Sequence, residues 1–161
     1  MATRSKGFVL AGGLSSRFGE DKGRRFGVHV LRAMEAAGIE AAFVARDDRL
    51  ADLGPVLVEP PGPVHPLSGL IAGLEAGGTV FAPCDLPFLP SEAFARLEMD
   101  SVAKGCPLLG KLGPTWIDRA TMYRDEGRSV RAFVQPLRTI VMPSEWLRNV
   151  NRPSDLDTRT P

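Results

Sequence analysis

The residues that could perform chemistry are concentrated near the N-terminus, where a short apolar run breaks into a glycine-rich, basic segment. Residues 8–11 form the apolar run, and Gly12 and Gly13 follow it directly. Two adjacent glycines leave backbone N–H groups open to an anion, and Arg17 and Lys22 place positive charge within a few residues of them. This pattern predicts a strand that leads into a phosphate-binding loop. For a generic Gly-Gly pair, a strand-to-helix turn with solvated charges is the alternative.

The loop differs from the two common nucleotide-binding fingerprints. A Walker-type loop has a lysine directly after its closing glycine, whereas Gly19 is followed by Glu20, Asp21 and Lys22. A dinucleotide fingerprint requires Gly-x-Gly, and Leu14 stands where its second glycine would be. Neither of those two folds is therefore indicated by its own signature.

A second candidate for chemistry is Asp85, which follows an apolar run and the pair Pro83-Cys84. A carboxylate at the end of a buried strand can project beyond the sheet and hold Mg²⁺ beside a triphosphate. The alternative is that Asp85 caps the bend between Pro87 and Pro90.

Two amide side chains near the C-terminus, Asn149 and Asn151, form a third candidate. Amides donate and accept hydrogen bonds without adding charge, which suits a polar ligand or the waters around a metal. Taken alone, Asn-x-Asn-x-Pro is also a common turn signal.

These residues need strands and helices that bring them together. Apolar runs of strand length occupy residues 8–11, 41–45, 56–58 and 79–82, and helical spacing occupies residues 28–39 and 67–74. Ser68 is a candidate helix cap, residues 120–134 are predicted to be helical, and residues 139–142 are predicted to form a strand. Strands that alternate with helices predict a three-layer α/β fold with a doubly wound, mostly parallel sheet. Ligands bind such sheets at the carboxyl ends of the strands, where Gly12 and Asp85 fall.

Composition and charge narrow the class of protein. The 161 residues are predicted to form one domain, spanning 1–161, because that length can bury about two thirds of its unfolded surface. A formal net charge of +1 argues against a nucleic-acid-binding surface. The absence of a long apolar run and of a signal-peptide core predicts a cytoplasmic protein that does not span a membrane. Cys84 and Cys106 have neither metal nor disulfide spacing, which fits a reducing compartment.

The series from Leu10 to Lys22, L-A-G-G-x-S-x-R-x-G-x-D-K, resembles the signature of the molybdenum cofactor guanylyltransferases, which belong to the MobA-like nucleotidyltransferases. Two later segments resemble the same family in the same order: P-C-D-L-P-F-L at residues 83–89 and N-V-N-R-P-S-D-L at residues 149–156. The resemblance covers most of the chain and implies a nucleotidyltransferase (Rossmann-like) architecture.

The resemblance implies a role for each matched residue. The residues implied to bind the nucleotide are Leu10, Ala11, Gly12, Gly13, Lys22, Glu59 and Asp85. Those implied to be catalytic are Arg17, Lys22 and Asp85, and Asp85 is also the implied Mg²⁺ ligand. Asn149 and Asn151 are implied to bind the acceptor.

The chain also departs from the family pattern. The family has an Asp after its third strand, and here Glu59 lies one place early with Pro60 at the expected position. Ala45 replaces an Asn after the second strand, and His65 replaces a glycine before the second helix. Gly113 replaces a histidine before Pro114, and about ten residues that usually follow Lys22 are absent.

The implied reaction is transfer of GMP from GTP to a molybdopterin-type cofactor with release of pyrophosphate, and its implied metal cofactor is Mg²⁺. The implied partners are enzymes that deliver or accept the molybdenum cofactor. The pair Gly12-Gly13 favours guanine, because cytidylyl relatives usually read L-A-A-G at this point. One alternative is a nucleotidyltransferase for another phosphorylated acceptor, of the CTP or sugar-phosphate type. Another is a nucleotide-binding regulatory protein without turnover.

Overall fold

The computed structural model describes residues 4–12, 23–62 and 64–149, which form a seven-stranded sheet with helices on both faces. The strands are β1 (Lys6–Leu10), β2 (Glu40–Ala45), β3 (Val56–Val58), β4 (Val80–Pro83), β5 (Ser101–Ala103), β6 (Cys106–Lys111) and β7 (Arg138–Ile140). The helices are α1 (Val28–Ala36), α2 (Pro66–Glu75), α3 (Glu92–Arg96), α4 (Ile117–Asp125) and α5 (Val130–Phe133). Shorter helical turns occupy Gly23–Gly27, Pro114–Trp116 and Ser144–Leu147.

The strand order in the sheet is β3-β2-β1-β4-β6-β5-β7. The first four strands pair in parallel, β6 pairs antiparallel with both β4 and β5, and β5 pairs in parallel with β7. The chain moves outward from β1 to β2 and β3, and then α2 returns it to the other side of β1, where β4 lies. The prediction of a doubly wound, mostly parallel α/β sheet is confirmed, and its switch point lies between β1 and β4.

Alternation along the central strands builds a separate core on each face of the sheet. Val9 and Ala82 point to the face that is covered by α1 and α3, and both side chains are fully buried there. Phe8 and Phe81 point to the opposite face, under α2 and α4, where their rings stack 6.3 Å apart. The predicted three-layer arrangement follows from this alternation.

Several local predictions differ from the structure for identifiable reasons. Residues 120–134 form parts of two helices rather than one, because Gly127 adopts a left-handed φ of 67° just after the end of α4. The cap of α2 is His65 rather than Ser68. The predicted strand at 139–142 is shorter, and β5 was not predicted at all. None of the helices in the described part of the chain has the length and apolar character needed to cross a bilayer.

Candidate functional site

The carboxyl ends of β1 and β4 lie side by side, because Leu10 pairs with Pro83 in the parallel register. Gly12 and Asp85 each lie two residues beyond that pair, on adjacent strands at the switch point of the sheet. The backbone N–H of Ala11 donates to the carbonyl of Val44 at 2.8 Å, which extends the pairing of β1 with β2 beyond Leu10. The structure therefore brings Leu10, Ala11, Gly12 and Asp85 together.

Asp85 is held in place by the residues on either side of it. Pro83 ends β4, and Leu86 is fully buried in the core under α1 and α3. The carbonyl of Leu86 also accepts a hydrogen bond from the backbone N–H of Leu89 at 3.2 Å, which closes the following turn. The backbone on both sides of Asp85 is thus fixed.

The two carboxylate oxygens of Asp85 have different surroundings. Oδ2 accepts a hydrogen bond from the amide Nδ2 of Asn149 at 3.3 Å. Oδ1 is buried and has no hydrogen-bond partner among the described residues. A buried carboxylate oxygen without a partner is costly, and it is often a sign of a bound ion or ligand.

Asn149 reaches this point because the segment before it packs on the α1 and α3 face. Trp146 and Leu147 lie against that core, and the guanidinium of Arg96 sits 4.5 Å from the centre of the Trp146 ring. A cation over an indole face is attracted to the ring's electrons and adds to the packing. Asn149 was predicted to bind the acceptor, and the structure places its amide on Asp85.

The charge of Asp85 also affects the thiol of Cys106, at the start of β6. The pKa of this thiol is raised to about 12, mainly by burial and secondly by the negative charge of the Asp85 carboxylate. The side chain is buried, so this cysteine is a neutral thiol at neutral pH.

Glu59, directly after β3, is a second acidic group at the carboxyl edge. Its side chain is only 7% exposed. A Cβ atom placed on Gly12 would lie 2.8 Å from Oε2 of Glu59, and one placed on Gly69 would lie 3.5 Å from the same atom. Burial raises the pKa of Glu59, and the positive charge of Arg46 offsets part of that increase. Glu59 thus lies beside Gly12 at the predicted nucleotide site, although it stands one position before the place of the family's Asp in the sequence.

Arg46 is the residue of this edge that sequence reasoning missed. It directly follows β2, and its Nη1 lies 3.9 Å from Oε1 of Glu59. Its Nη2 donates to the carbonyl of Gly62 at 3.1 Å. A usable signal was present, because the first charged residue after a parallel strand falls at the ligand edge of such a sheet.

His65 has a structural role at the start of α2. Its Nδ1 accepts from the backbone N–H of Leu67 at 3.0 Å and so caps α2. Its Nε2 lies 3.0 Å from the carbonyl of Arg128, which can only accept, so we assign the proton of the ring to Nε2.

Four predicted site residues, Gly13, Arg17, Lys22 and Asn151, lie outside the described residues. Within the described ranges, no group of three or more His, Cys, Asp or Glu side chains is arranged to hold a metal ion. Mg²⁺ is commonly bound by one or two carboxylates together with substrate phosphates and water. The unpaired Oδ1 of Asp85 fits that kind of site.

Comparison with known sequences identifies the family. The family model of the MobA-like NTP transferase domain matches residues 7–110. A probable molybdenum cofactor guanylyltransferase of Bacillus cereus (strain G9842) is 35% identical over 111 residues, which cover 59% of this chain and 56% of that protein. A molybdenum cofactor guanylyltransferase of Burkholderia ambifaria (strain MC40-6) is 37% identical over 109 residues, covering 56% of this chain and 53% of that protein. The chain therefore matches about half the length of these curated relatives.

Solved structures with low sequence identity share the fold. A protein from Aquifex aeolicus VF5 superposes with a TM-score of 0.75 at 20% identity, over 91% of this chain and 93% of that one. A 4-diphosphocytidyl-2C-methyl-D-erythritol synthase superposes with a TM-score of 0.63 at 15% identity, over 98% of this chain and 97% of that one. The family match covers more than half of the chain and includes the strands that carry Gly12, Glu59 and Asp85. The chain belongs to the MobA-like NTP transferase family.

Proposed function

We propose that this protein transfers GMP from GTP to a phosphorylated molybdopterin-type cofactor and releases pyrophosphate. The observation that carries the proposal is the position of Gly12 and Asp85, each two residues beyond the paired ends of β1 and β4, with one buried Asp85 oxygen that has no partner among the described residues. The relatives named as molybdenum cofactor guanylyltransferases support the choice of reaction.

The reaction requires positioning and charge neutralisation more than covalent catalysis. A phosphate oxygen of the acceptor attacks the α-phosphorus of GTP, the bond from that phosphorus to the bridging oxygen breaks, and pyrophosphate leaves with the bonding electrons. Backbone N–H groups at Gly12 and Gly13 bind phosphate oxygens. Arg17 and Lys22 balance the negative charge of the triphosphate and of the leaving group.

Asp85 is the proposed ligand of Mg²⁺, through its unpaired Oδ1. The metal, when bound, supplies positive charge to the phosphate oxygens. Asn149 holds Oδ2 and thereby fixes the plane of the carboxylate, so that Oδ1 stays directed away from that amide.

The remaining substrate contacts are assigned by position. Glu59 contacts the nucleoside, because its carboxylate lies against Gly12 at the edge of the sheet that carries the phosphate loop. Asn149 and Asn151 are the residues we propose to bind the acceptor. The sequence Leu10-Ala11-Gly12-Gly13 supports guanine over cytosine. Proteins that deliver or accept the molybdenum cofactor are the expected partners.

A substitution of Asp85 tests the proposal directly. We expect Asp85→Asn to reduce the rate of pyrophosphate release from GTP and molybdopterin by about 10²-fold or more, because one electrostatic contact to the reacting phosphates is lost. The measurement is a coupled pyrophosphate assay with GTP, CTP, UTP and ATP in the presence of Mg²⁺.

Asp100→Asn is the matched control for this test. Asp100 lies at the opposite edge of the sheet, and its Oδ1 accepts a hydrogen bond from Nε1 of Trp116 at 2.8 Å, which an asparagine oxygen can also accept. We expect this variant to retain wild-type activity. Full activity of Asp85→Asn would overturn the proposal, and so would tight GTP binding by the wild-type protein without any pyrophosphate release in the presence of the acceptor.

A further inference from the structure

Three pairs of side chains join residues 143–149 to the part of the chain that follows β4. In order along residues 143–149, the pairs are Trp146 with Arg96, Arg148 with Phe88 and Asn149 with Asp85. The position of the partner falls from 96 to 88 to 85 as the position in this segment rises, so the two stretches run in opposite directions. The Trp146 end of the segment therefore lies at the end of α3, and its Asn149 end lies at the proposed metal ligand.

The contact between Arg96 and Trp146 holds one end of this segment. The guanidinium of Arg96 lies 4.5 Å from the centre of the indole ring, within the distance of about 6 Å at which a ring attracts a cation. Trp146 also packs with Leu147 against the buried core under α1 and α3. Arg96 itself is exposed at the C-terminal end of α3, so its replacement leaves that core intact. The core and the guanidinium of Arg96 together hold Trp146 in place.

The hydrogen bond at the other end of the segment is sensitive to small movements. Nδ2 of Asn149 donates to Oδ2 of Asp85 at 3.3 Å, whereas hydrogen bonds of this type usually measure about 2.7–3.2 Å. A small displacement of Asn149 would therefore break the bond. Trp146 lies three positions before Asn149, so a tryptophan that is held in place limits how far the amide can move.

The orientation of the Asp85 carboxylate depends on this bond. Oδ1 is buried and has no hydrogen-bond partner among the described residues, so the amide of Asn149 fixes the plane of the carboxylate through the other oxygen. Groups that orient a metal-binding carboxylate commonly lower the metal affinity by about 10–100-fold when they are removed. A residue that holds Asn149 in place can therefore affect metal binding without touching the metal.

We propose that Arg96 is a positioning residue for the metal-binding carboxylate of Asp85. Its guanidinium holds Trp146 against the core, and Trp146 in turn keeps the amide of Asn149 on Oδ2. This inference rests on the proposed function, in which Oδ1 of Asp85 binds Mg²⁺. It adds a role for Arg96 and Trp146, to which the proposed reaction assigns no contact.

The charge of Arg96, taken alone, predicts the opposite effect from its position. A positive charge repels a bound cation, so removing it should strengthen the binding of Mg²⁺ if positioning plays no part. Loss of the contact with Trp146 should instead weaken metal binding, because the Asp85 carboxylate is less well oriented. The direction of the change in metal binding therefore distinguishes the two effects.

The experiment measures the affinity of GTP with Mg²⁺ and with EDTA by isothermal titration calorimetry, and the ratio of the two affinities gives the contribution of the metal. We expect Arg96→Met to lower this ratio about two- to fivefold, the factor that corresponds to one exposed cation–π contact. Arg96→Lys should keep a ratio close to the wild-type value, because an ammonium group is also attracted to the indole ring. Asn149→Ala should lower the ratio by about tenfold or more, because it removes the hydrogen bond itself.

A double variant shows whether Arg96 acts through Asn149. In an Asn149→Ala background there is no amide to position, so Arg96→Met should cause no further decrease in the ratio. Decreases that add in the double variant would mean that Arg96 acts by another route, and they would overturn the inference.

The ligand-free protein provides a readout that needs neither metal nor substrate. The chain has two tryptophans, so a Trp116→Phe background leaves Trp146 as the one fluorescent indole. Trp116 packs against the core on the opposite face of the sheet. In this background we expect acrylamide to quench Trp146 more strongly in Arg96→Met than in Arg96→Lys or in the protein that retains Arg96. Equal quenching in all three proteins would show that Arg96 does not hold the ring, and it would overturn the inference.

Arg124→Met is the matched control, because Arg96 and Arg124 each supply the positive charge in the last turn of a helix. Arg124 belongs to α4 on the opposite face of the sheet, where it pairs with Asp125 at 3.0 Å. Its replacement should leave both the ratio of GTP affinities and the quenching of Trp146 unchanged.

The possible results separate this inference from the proposed reaction. A ratio of GTP affinities in Arg96→Met that equals or exceeds that of Arg124→Met overturns the inference. Pyrophosphate release by the wild-type protein together with that result would leave the proposed function standing alone. The expected ratios without pyrophosphate release in the presence of the acceptor would sustain the inference and overturn the reaction. If Mg²⁺ does not tighten the binding of GTP to the wild-type protein, both are overturned.

Discussion

The two edges of the sheet treat buried polar groups in opposite ways. Ser101, at the amino edge where β5 begins, is fully buried, and its hydroxyl donates to the carbonyl of Glu98 at 2.6 Å. The same hydroxyl accepts from the backbone N–H of Glu98 at 3.0 Å. At the carboxyl edge, the ion-pair partner of Glu59, Arg46, lies 3.9 Å away and so beyond hydrogen-bond distance, and Oδ1 of Asp85 has no partner among the described residues.

This contrast separates structural polar groups from those that are available to a ligand. A hydroxyl that satisfies two backbone groups of its own chain stabilises the fold and leaves nothing for a ligand. A buried carboxylate oxygen without a partner costs stability in the free protein, and a bound cation or N–H donor would recover that cost. The polar groups at the carboxyl edge are therefore available to a ligand, whereas Ser101 at the amino edge only stabilises the fold.

The largest expected effect concerns Cys106, which reports on the charge at the carboxyl edge. A pKa of about 12, against an ordinary value of 9.0, lowers the thiolate fraction near pH 8 by about a thousandfold. We expect iodoacetamide to alkylate the half-buried Cys84 well before the buried Cys106 in native protein at pH 8. Mass spectrometry of labelled peptides measures the two rates.

Asp85→Asn tests whether the charge of Asp85 contributes to the slow alkylation of Cys106. The negative charge of Asp85 is the second cause of the raised pKa of Cys106, so its removal should speed alkylation of Cys106 while burial continues to slow it. Equal labelling rates for Cys106 in the wild-type protein and the variant would mean that Asp85 carries no uncompensated charge in the free protein. The contrast between the two edges would then be wrong at this residue.

A smaller effect is expected from Ser101→Ala at the amino edge. The substitution leaves the N–H and carbonyl of Glu98 without their partner, and we expect it to lower the free energy of unfolding by about 1–3 kcal/mol. The affinity for GTP should not change, because Ser101 lies at the opposite edge of the sheet. Urea unfolding and calorimetry measure the two quantities.

Ser68→Ala is the control for that prediction. Ser68 lies inside α2, where alanine is a favourable residue, and the cap of this helix is His65. We expect a change in stability of less than about 0.5 kcal/mol. If Ser101→Ala loses no more stability than Ser68→Ala, the hydrogen bonds of Ser101 do not stabilise the amino edge. A large loss of GTP affinity in Ser101→Ala would mean that the two edges are coupled.

The architecture could be predicted from the sequence because its central strands are short apolar runs with clear boundaries. The run at residues 56–58 became β3 with the predicted bounds, and β2 is longer than predicted by one residue. β5 was missed because a three-residue strand, Ser101–Ala103, is too short for a periodic signal. The break between α4 and α5 depends on the left-handed conformation of Gly127, and an isolated glycine within a helical pattern does not specify that conformation.

The site was predictable where strand ends alone determine position. Gly12 and Asp85 follow adjacent parallel strands, so a topological rule sufficed to bring them together. The contacts between Arg46 and Gly62 and between Asn149 and Asp85 join segments separated by 16 and 64 positions, and they depend on side-chain conformation. No local pattern encodes such contacts. The role of Arg46 therefore emerged only from the packing of the folded chain.

The smallest expected effect is the pH dependence that Glu59 gives to the stability of the ligand-free protein. Burial raises the pKa of Glu59 in the folded state above its ordinary value of 4.5, so the folded protein binds more protons than the unfolded chain between these two pKa values. The free energy of unfolding therefore falls as the pH rises through that window. Glu59→Gln has no carboxyl group at this position and should lack this decrease.

Urea unfolding of the wild-type protein and of Glu59→Gln, at intervals from pH 4 to pH 7, measures this effect. The stability of the variant relative to the wild-type protein should increase with pH, because burial disfavours the ionised form of the Glu59 carboxyl group. Saturating GTP with Mg²⁺ should reduce the difference, since binding stabilises the folded wild-type protein more than a variant with weaker affinity. A difference that stays constant or falls as the pH rises would show that the Glu59 carboxylate is already satisfied in the free protein. The carboxyl edge would then resemble the amino edge at that residue, and only Asp85 would remain available to a ligand.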